Sequence, residues 1–340
     1  MATIIIKFII CTVVILYCGK RVARYGDAIA EKTGLGGLWI GVILVSVATS
    51  LPELFTGVGS TVFVNAPNLT VGNLFGANTY NLVNIATLDL LNKGGPLLSA
   101  VSTGQLLTAI LSLIPLSIAA VGIFLNQNIP QITFANISIF SILILASYIV
   151  SIKTIFKFEK GQRTLKELSK EEALLFKYDN ISLNTAYIRY GLSALAIAGA
   201  GIWLAYIGDD LARLSGLGQN FIGSLLLGFA TTLPEITVSI AALRLGAKEL
   251  AVANMVGSNL FNITIIFIND VLYRKSPIFT VLTQQHIFTA FIVILMTITV
   301  ITGLILKPKK KTRFGLSTYA IILIAIFIIG AYVNFMLGNK

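Results

Sequence analysis

Two short stretches, ATSLPEL at Ala48–Leu54 and ATTLPEI at Ala230–Ile236, set hydroxyls, a proline and a glutamate together inside apolar runs. Glu53 and Glu235 are the costly residues. A charged side chain at the bilayer centre costs roughly 2.5–3.5 kcal/mol or more, and such positions mark ion or substrate pathways. Pro52 and Pro234 lack the N–H that would bond the carbonyl four residues back, so they free the carbonyls of Ala48 and Ala230. In hydrocarbon a free carbonyl is tolerated only where it lines a cavity or meets a partner. Thr49, Ser50, Thr231 and Thr232 add hydroxyls at the same points, and VGNLFGANTYN (Val71–Asn81) and VANMVGSNLFN (Val252–Asn262) add amides. Asn78 and Asn81 are three residues apart, as are Asn259 and Asn262, so each pair shares a helix face. Carboxylates, hydroxyls, carbonyls and amides form an oxygen-only set, which suits a hard cation such as Ca²⁺; Zn²⁺ or Cu would draw His or Cys.

Helix packing is the bland alternative for several of these residues. Asn and Ser between membrane helices often bond neighbours, so Asn73, Asn78, Asn254 and Asn259 are open to either reading. Gly34 and Gly36 fit packing or loop geometry. Asp27, Asp89, Asp209 and Asp270 fall near span ends and read as structural. Cys11 and Cys18 read as small buried apolar residues, and His286, the one histidine, as interfacial.

The chain that must position these groups has 340 residues, 56% hydrophobic and 11% charged, with a mean hydropathy of +0.88. Soluble domains carry about 25% charged residues. A membrane helix needs about 20 apolar residues, and ten such segments recur. They are Ile4–Lys20, Leu35–Val64, Leu69–Leu91, Gln105–Leu125 and Ile132–Ile152, then Ala186–Tyr206, Gly218–Leu243, Leu250–Leu272, His286–Leu306 and Leu316–Leu337. The fold class expected is an all-α polytopic membrane protein; a β-barrel would show alternating segments of about ten residues. With loops counted alternately, twenty of the 25 Lys and Arg fall on one side and five on the other. The positive-inside rule makes the crowded side cytoplasmic, so both termini face out, from a multi-pass plasma-membrane protein. The net charge of +11 is thus a topology signal, with nothing that reads nucleic acid.

The chain is also a repeat. Shifted by 182 residues, Gly26–Glu53 overlays Gly208–Glu235 without a gap, and fourteen of the 28 positions are identical. At a shift of 181, Val71–Asn81 overlays Val252–Asn262 and Asp89 meets Asp270. The motif-bearing spans are the second and the seventh. Five spans is an odd number, so the copies cross the membrane in opposite directions. That is an inverted repeat of two five-helix halves, 1–152 and 185–340, with helices broken at the midplane, where transporters of this architecture place their substrate. The polar segment Lys153–Asn184 reads as a cytoplasmic linker or short surface helix.

With both copies aligned, ATSLPEL…GNLFGANTYN and ATTLPEI…VGSNLFN resemble the two repeats of the calcium/cation antiporter superfamily, in its sodium/calcium exchanger branch of prokaryotic type. The resemblance covers most of the chain. It implies that Glu53 and Glu235 coordinate Ca²⁺ and share Na⁺. Thr49, Ser50, Thr231, Thr232 and Ser258 would contribute hydroxyls or carbonyls, and the carbonyls of Ser46 and Gly228 would serve Na⁺. Asn81 and Asn262 would form the central layer. The first and sixth spans would slide as a pair to switch access while the other eight hold the site. No cofactor is implied beyond the transported ions, and the transport unit would be a monomer in the bilayer. Two positions depart from the family. Asn262 stands where prokaryotic exchangers often carry a carboxylate, and Ala77 stands where a serine is expected, although Ser258 keeps it in the other half. Both leave the driving ion and stoichiometry open.

The leading function is therefore an antiporter exchanging Ca²⁺ for Na⁺ by alternating access. An exchanger driven by H⁺, or one carrying another divalent ion, is the nearest alternative. A passive cation channel would use the same oxygens, but closed midplane sites between inverted repeats favour alternating access. An enzyme would need a nucleophile and base or a metal-activated water, which the sequence does not offer.

Overall fold

The computed structural model describes residues 1–33, 45–125, 132–165 and 180–338. The early part of the Leu35–Val64 span, with Gly34 and Gly36, and much of the Lys153–Asn184 segment lie outside the described residues. Helix α1 is Ala2–Lys32, and α2 is Leu51–Val58, preceded by a helical turn at 45–49 and followed by a π turn at Gly59–Phe63. Then come α3 (Pro67–Leu91), α4 (Thr103–Leu125), α5 (Ile139–Leu165) and α6 (Leu183–Ser215). Helix α7 (Gln219–Arg244) contains a second π turn at Gly223–Leu227, and α8 (Lys248–Leu272), α9 (Gln285–Leu306) and α10 (Thr318–Gly338) complete the order. Two-residue strands β1 (Thr133–Phe134) and β2 (Ile137–Ser138) form a small antiparallel hairpin before α5. Among the described residues, eight helices, α1 and α4 to α10, are long and apolar enough to cross a membrane. Helix α3 is as long as these but carries Thr70, Asn73, Asn78, Thr79, Asn81 and Asn84, and it is buried along most of its length.

Apolar side chains on the membrane-facing helices stay exposed, because lipid is as good a solvent for them as protein. The main apolar cluster joins α3, α4, α8, α9 and α10, with Leu74, Phe75, Leu116, Met255, Phe279 and Val300 at its centre. A separate, smaller cluster joins α1, α6 and α7 through Cys11, Ile15, Leu204 and Leu227. Cys11 and Cys18 are both buried and unbridged.

Helix α1 runs along α6, and each rests on a motif helix through a glycine. A Cβ on Gly201 of α6 would lie 2.9 Å from the backbone N of Thr56, in α2, and one on Gly19 of α1 would meet the ring of Pro234, in α7. Gly19 and Gly201 are themselves 182 positions apart.

Two buried aspartates secure the frame in the same way. Asp89, near the end of α3, accepts from the backbone N–H groups of Leu97 and Ser317, 2.8 Å each, and from the Tyr319 hydroxyl at 2.5 Å. Asp270, near the end of α8, accepts from the N–H of Ile278 at 2.6 Å and Ser138 at 2.8 Å, and from the Ser141 hydroxyl at 2.5 Å. Each ties a 3₁₀ turn, Leu97–Ala100 or Ile278–Val281, to the start of a peripheral helix. Both satisfy the expectation of a structural role.

Three local features differ from the sequence expectation. Helix α5 runs on to Leu165, through 153–165 of the polar segment read as linker. At Pro52 the helix does break, at Ser50 (φ −84°, ψ 9°), but Gly228–Arg244 is continuous through Pro234. A proline removes one hydrogen bond, which need not cost a helix its continuity when neighbouring turns hold. His286 is fully buried rather than interfacial, its Nε2 3.0 Å from Asn68 Oδ1.

Candidate cation-binding centre

Ser50 is the N-cap residue of α2 but its side chain makes no capping bond; its hydroxyl crosses to the other half, donating to Glu235 Oε1 at 3.3 Å. Glu53 and Glu235 are both 0% exposed. Thr49 Oγ1 donates to Asn254 Oδ1 at 3.3 Å, and its counterpart Thr231 donates to Asn73 Oδ1 at 3.2 Å. Each motif helix is thereby bonded to the amide helix of the opposite half. The carbonyl of Ser46 receives the hydroxyls of Thr49 (3.2 Å) and Ser258 (3.4 Å), and that of Gly228 receives Thr231 (3.4 Å) and Thr232 (2.8 Å). All of these donors are hydroxyls, which turn away at little cost when a cation takes the carbonyl.

Four asparagines clasp α3 to α8. Asn78 Nδ2 donates to the carbonyl of Asn259 at 3.2 Å, and Asn259 Nδ2 returns the bond to the carbonyl of Asn78 at 3.3 Å. A carbonyl only accepts, so both amide nitrogens are fixed and both Oδ1 atoms face the other way. Those oxygens accept in turn from Asn262 Nδ2 (3.1 Å) and Asn81 Nδ2 (3.0 Å). The clasp therefore forces Asn81 and Asn262 to present oxygen outward. Of the asparagines open to two readings, Asn78 and Asn259 are the glue, and they orient the two in the proposed central layer.

The residue of this bonding is a set of stranded acceptors. Glu53 Oε1 and Oε2, Glu235 Oε2, Asn81 Oδ1 and Asn262 Oδ1 are buried without a donor. A buried polar atom left unpaired costs about 1–3 kcal/mol, more when charged. Five of them on four pseudo-symmetric residues suit an electropositive partner that is not a side chain. Among the described residues no three His, Cys, Asp or Glu side chains cluster together. Oxygen ligands with two carboxylates fit a hard divalent cation.

The chain matches the family described as sodium/calcium exchanger protein over residues 3–164 and 186–338, which takes in both motif copies. The chain belongs to this family. It is thus a polytopic helical membrane protein of the sodium/calcium exchanger branch of cation antiporters. Inner membrane protein YrbG of Escherichia coli is 24% identical over 258 residues, 76% of each chain. Sodium/calcium exchanger MaX1 of Methanosarcina acetivorans is 24% identical over 266 residues, 72% of this chain and 75% of that protein. Two solved structures share the fold. The H⁺/Ca²⁺ exchanger CAX has a TM-score of 0.64 at 13% identity, covering 98% of this chain and 86% of that one. The sodium-calcium exchanger NCX_Mj has a TM-score of 0.58 at 19% identity, covering 97% of both.

Proposed function

We propose that the protein exchanges Ca²⁺ for Na⁺ by alternating access, with the ions held between Glu53, Glu235, Asn81 and Asn262. The observation that carries this reading is the set of five buried acceptor oxygens without a donor on Glu53, Glu235, Asn81 and Asn262. Two carboxylates offset one Ca²⁺ or two Na⁺, so either cargo leaves the centre near neutrality, and neutrality is what crossing hydrocarbon demands. Thr49, Ser50, Thr231, Thr232 and Ser258, with the carbonyls of Ser46 and Gly228, complete the oxygen shell for the monovalent ions. The architecture in this reading is ten spans in two inverted halves, 1–152 and 185–340. Helices α1 and α6 slide on their glycine contacts while the other helices hold the site. Both termini face outward from the plasma membrane, as the uneven basic loops support.

The experiment is Ca²⁺ uptake into proteoliposomes under separately imposed Na⁺, K⁺ and H⁺ gradients. Uptake that needs outward Na⁺ supports the reading, and uptake driven by H⁺ alone replaces it. Orientation is tested apart from transport. A cysteine introduced at Lys170 should resist an impermeant thiol reagent added outside intact cells, and labelling there reverses the assignment.

A further inference from the structure

Past Glu53 the repeat fails at several pairs, five of which put the polar residue on one side. The 182-residue shift pairs Thr56 with Val238, Ser60 with Ala242 and Thr61 with Leu243; the 181-residue shift pairs Thr70 with Ala251 and Asn269 with Leu88. At all five pairs the α2 side has an oxygen-bearing side chain and the α7 side has hydrocarbon. The five polar residues are no more than 1% exposed.

Two of them satisfy each other. Thr70 Oγ1 bonds the Gly57 carbonyl at 3.1 Å and shares a 2.8 Å hydrogen bond with Thr61 Oγ1. The other three do not: Thr56 Oγ1, Ser60 Oγ and Asn269 Oδ1 are buried with no partner. Helical Ser and Thr commonly bond the carbonyl four residues back, as Thr297 does to Val293 and Thr302 to Ile298, both at 2.8 Å. Thr56 and Ser60 leave that option unused. Asn269 Nδ2 donates to the Ile265 carbonyl at 2.9 Å, which fixes the amide and leaves Oδ1 as the free acceptor.

Gly57 opens the room for this group. A Cβ there would lie 2.9 Å from Asn269 Nδ2 and 3.2 Å from Thr70 Cγ2. In the other half the matching residue is Ser239, whose hydroxyl accepts from Asn254 Nδ2 at 3.1 Å. The glycine therefore strands Asn73 Nδ2, the counterpart of Asn254, which has no partner. One half satisfies its amide; the other sacrifices that bond to admit Asn269.

We propose that Thr56, Ser60 and Asn269 form a second cation station between Glu53 and the π-turn end of α2, and that it takes a monovalent ion such as Na⁺. Its ligands are oxygens, which hard cations select. None is charged, so the station lacks the carboxylates that a dehydrated divalent ion requires. Thr56, Ser60 and Glu53 fall at i+3, i+7 and i of one helical stripe, so the station is in line with the central carboxylate. With no counterpart beyond Glu235, it serves one membrane face alone. Na⁺ arriving from the α2–α3 turn would be dehydrated in two stages, and Ca²⁺ leaving would not compete for the outer one. The direction of travel rests on the antiport reading; binding at the station does not.

The test is thermal melting of the purified chain in lipid nanodiscs, titrated with NaCl or CaCl₂ against choline chloride. Ser60→Ala removes one oxygen with little change of volume, and Thr56→Val with Asn269→Leu installs the residues of the other half. Each variant should raise the half-saturating Na⁺ by roughly threefold to tenfold, the scale of one lost oxygen contact, and leave half-saturating Ca²⁺ within about twofold. A Ser60→Ala protein whose Na⁺ titration superimposes on wild type overturns the station, and water bonded to these oxygens then explains them. An equal shift in Na⁺ and Ca²⁺ also overturns it, since one shared site accounts for both. Wild type protected by Ca²⁺ and not by Na⁺ overturns the station and the Na⁺-driven reading together. Loss of Ca²⁺ protection in Glu53→Gln with part of the Na⁺ response kept supports the station, since the centre loses a ligand to both ions and the station loses none.

Discussion

The two seams beside the centre are built from matching segments and closed differently. Where α7 meets α3, glycine lies on glycine. A Cβ on Gly228 would sit 2.8 Å from Gly76 C, one on Gly223 would sit 2.7 Å from the Leu69 carbonyl oxygen, and one on Gly76 would overlap the backbone of Ser224. Where the start of α2 meets α8, the position matching Gly228 is Ser46, and it touches Gly257 through a side chain. A small cleft lies there, lined by Glu159, Gln105, Tyr148 and Ser46. A second small cleft lies between α3, α7, α9 and α10 and reaches Ser224. There Asn334 Nδ2 bonds the serine hydroxyl at 2.6 Å. The comparison teaches how matching segments close differently. Backbone-to-backbone contact closes the α7–α3 seam, while across the other, among the described residues, the Ser46 side chain meets Gly257.

The largest effect expected is at the element the seams share. Glu53→Gln and Glu235→Gln should each reduce Ca²⁺ transport to background while leaving a folded, extractable protein, because each removes a charge from the −2 centre. Near wild-type exchange by either variant would remove that residue from the centre. Next are the seams themselves. Gly76→Ala forces α3 off α7 and should cost about 1–3 kcal/mol, the range for overpacking, with transport lost in proportion. Gly257→Ala meets only the Ser46 hydroxyl and should cost less, under about 1.5 kcal/mol. Equal losses of melting temperature would erase the distinction between the seams.

A smaller, conditional effect is expected at the clasp. Asn262 donates to Asn78 Oδ1, and an aspartate there donates only when protonated. Asn262→Asp should keep the fold and make Ca²⁺ exchange more pH-dependent between about pH 6 and 9, a range that spans perturbed buried carboxyls. Asn81→Asp, its mate across the clasp, should behave alike. Normalised profiles that superimpose on wild type would leave Asn262 as simple helix glue. The mildest effect is at Gly57→Ser, which supplies Asn73 with the hydroxyl that Asn254 already has but crowds Asn269. It should shift half-saturating Na⁺ with Ca²⁺ affinity held, and an unchanged Na⁺ titration would count against the outer station.

Much of this was legible in the residues. The doubled Pro-Glu motif, the Asn pairs three apart and the apolar segments locate α2, α3, α7 and α8 and single out Glu53 and Glu235, while the family resemblance adds Asn81 and Asn262. Their partners were not legible, because hydrogen-bond direction depends on which amide meets a carbonyl across a helix interface, and sequence spacing does not encode it. Pro52 and Pro234 read identically, yet a helix break stands before the first and the helix runs unbroken through the second. Thr56, Ser60 and Asn269 stand in the sequence as isolated polar residues. Their signal is at mismatched positions of the repeat, visible only when these are compared as carefully as matched ones. The buried His286 was hidden by its place at a span end, where Asn68 from another helix encloses it.

The most direct test of the central claim is ⁴⁵Ca²⁺ uptake into proteoliposomes loaded with Na⁺, K⁺ or choline, with and without an imposed pH gradient, for wild type and Glu53→Gln. The account predicts uptake above the choline control only from Na⁺-loaded vesicles, unaffected in sign by the pH gradient, and absent in Glu53→Gln. Uptake that follows the pH gradient without Na⁺, or Ca²⁺ entry that needs no counter-ion at all, would contradict it.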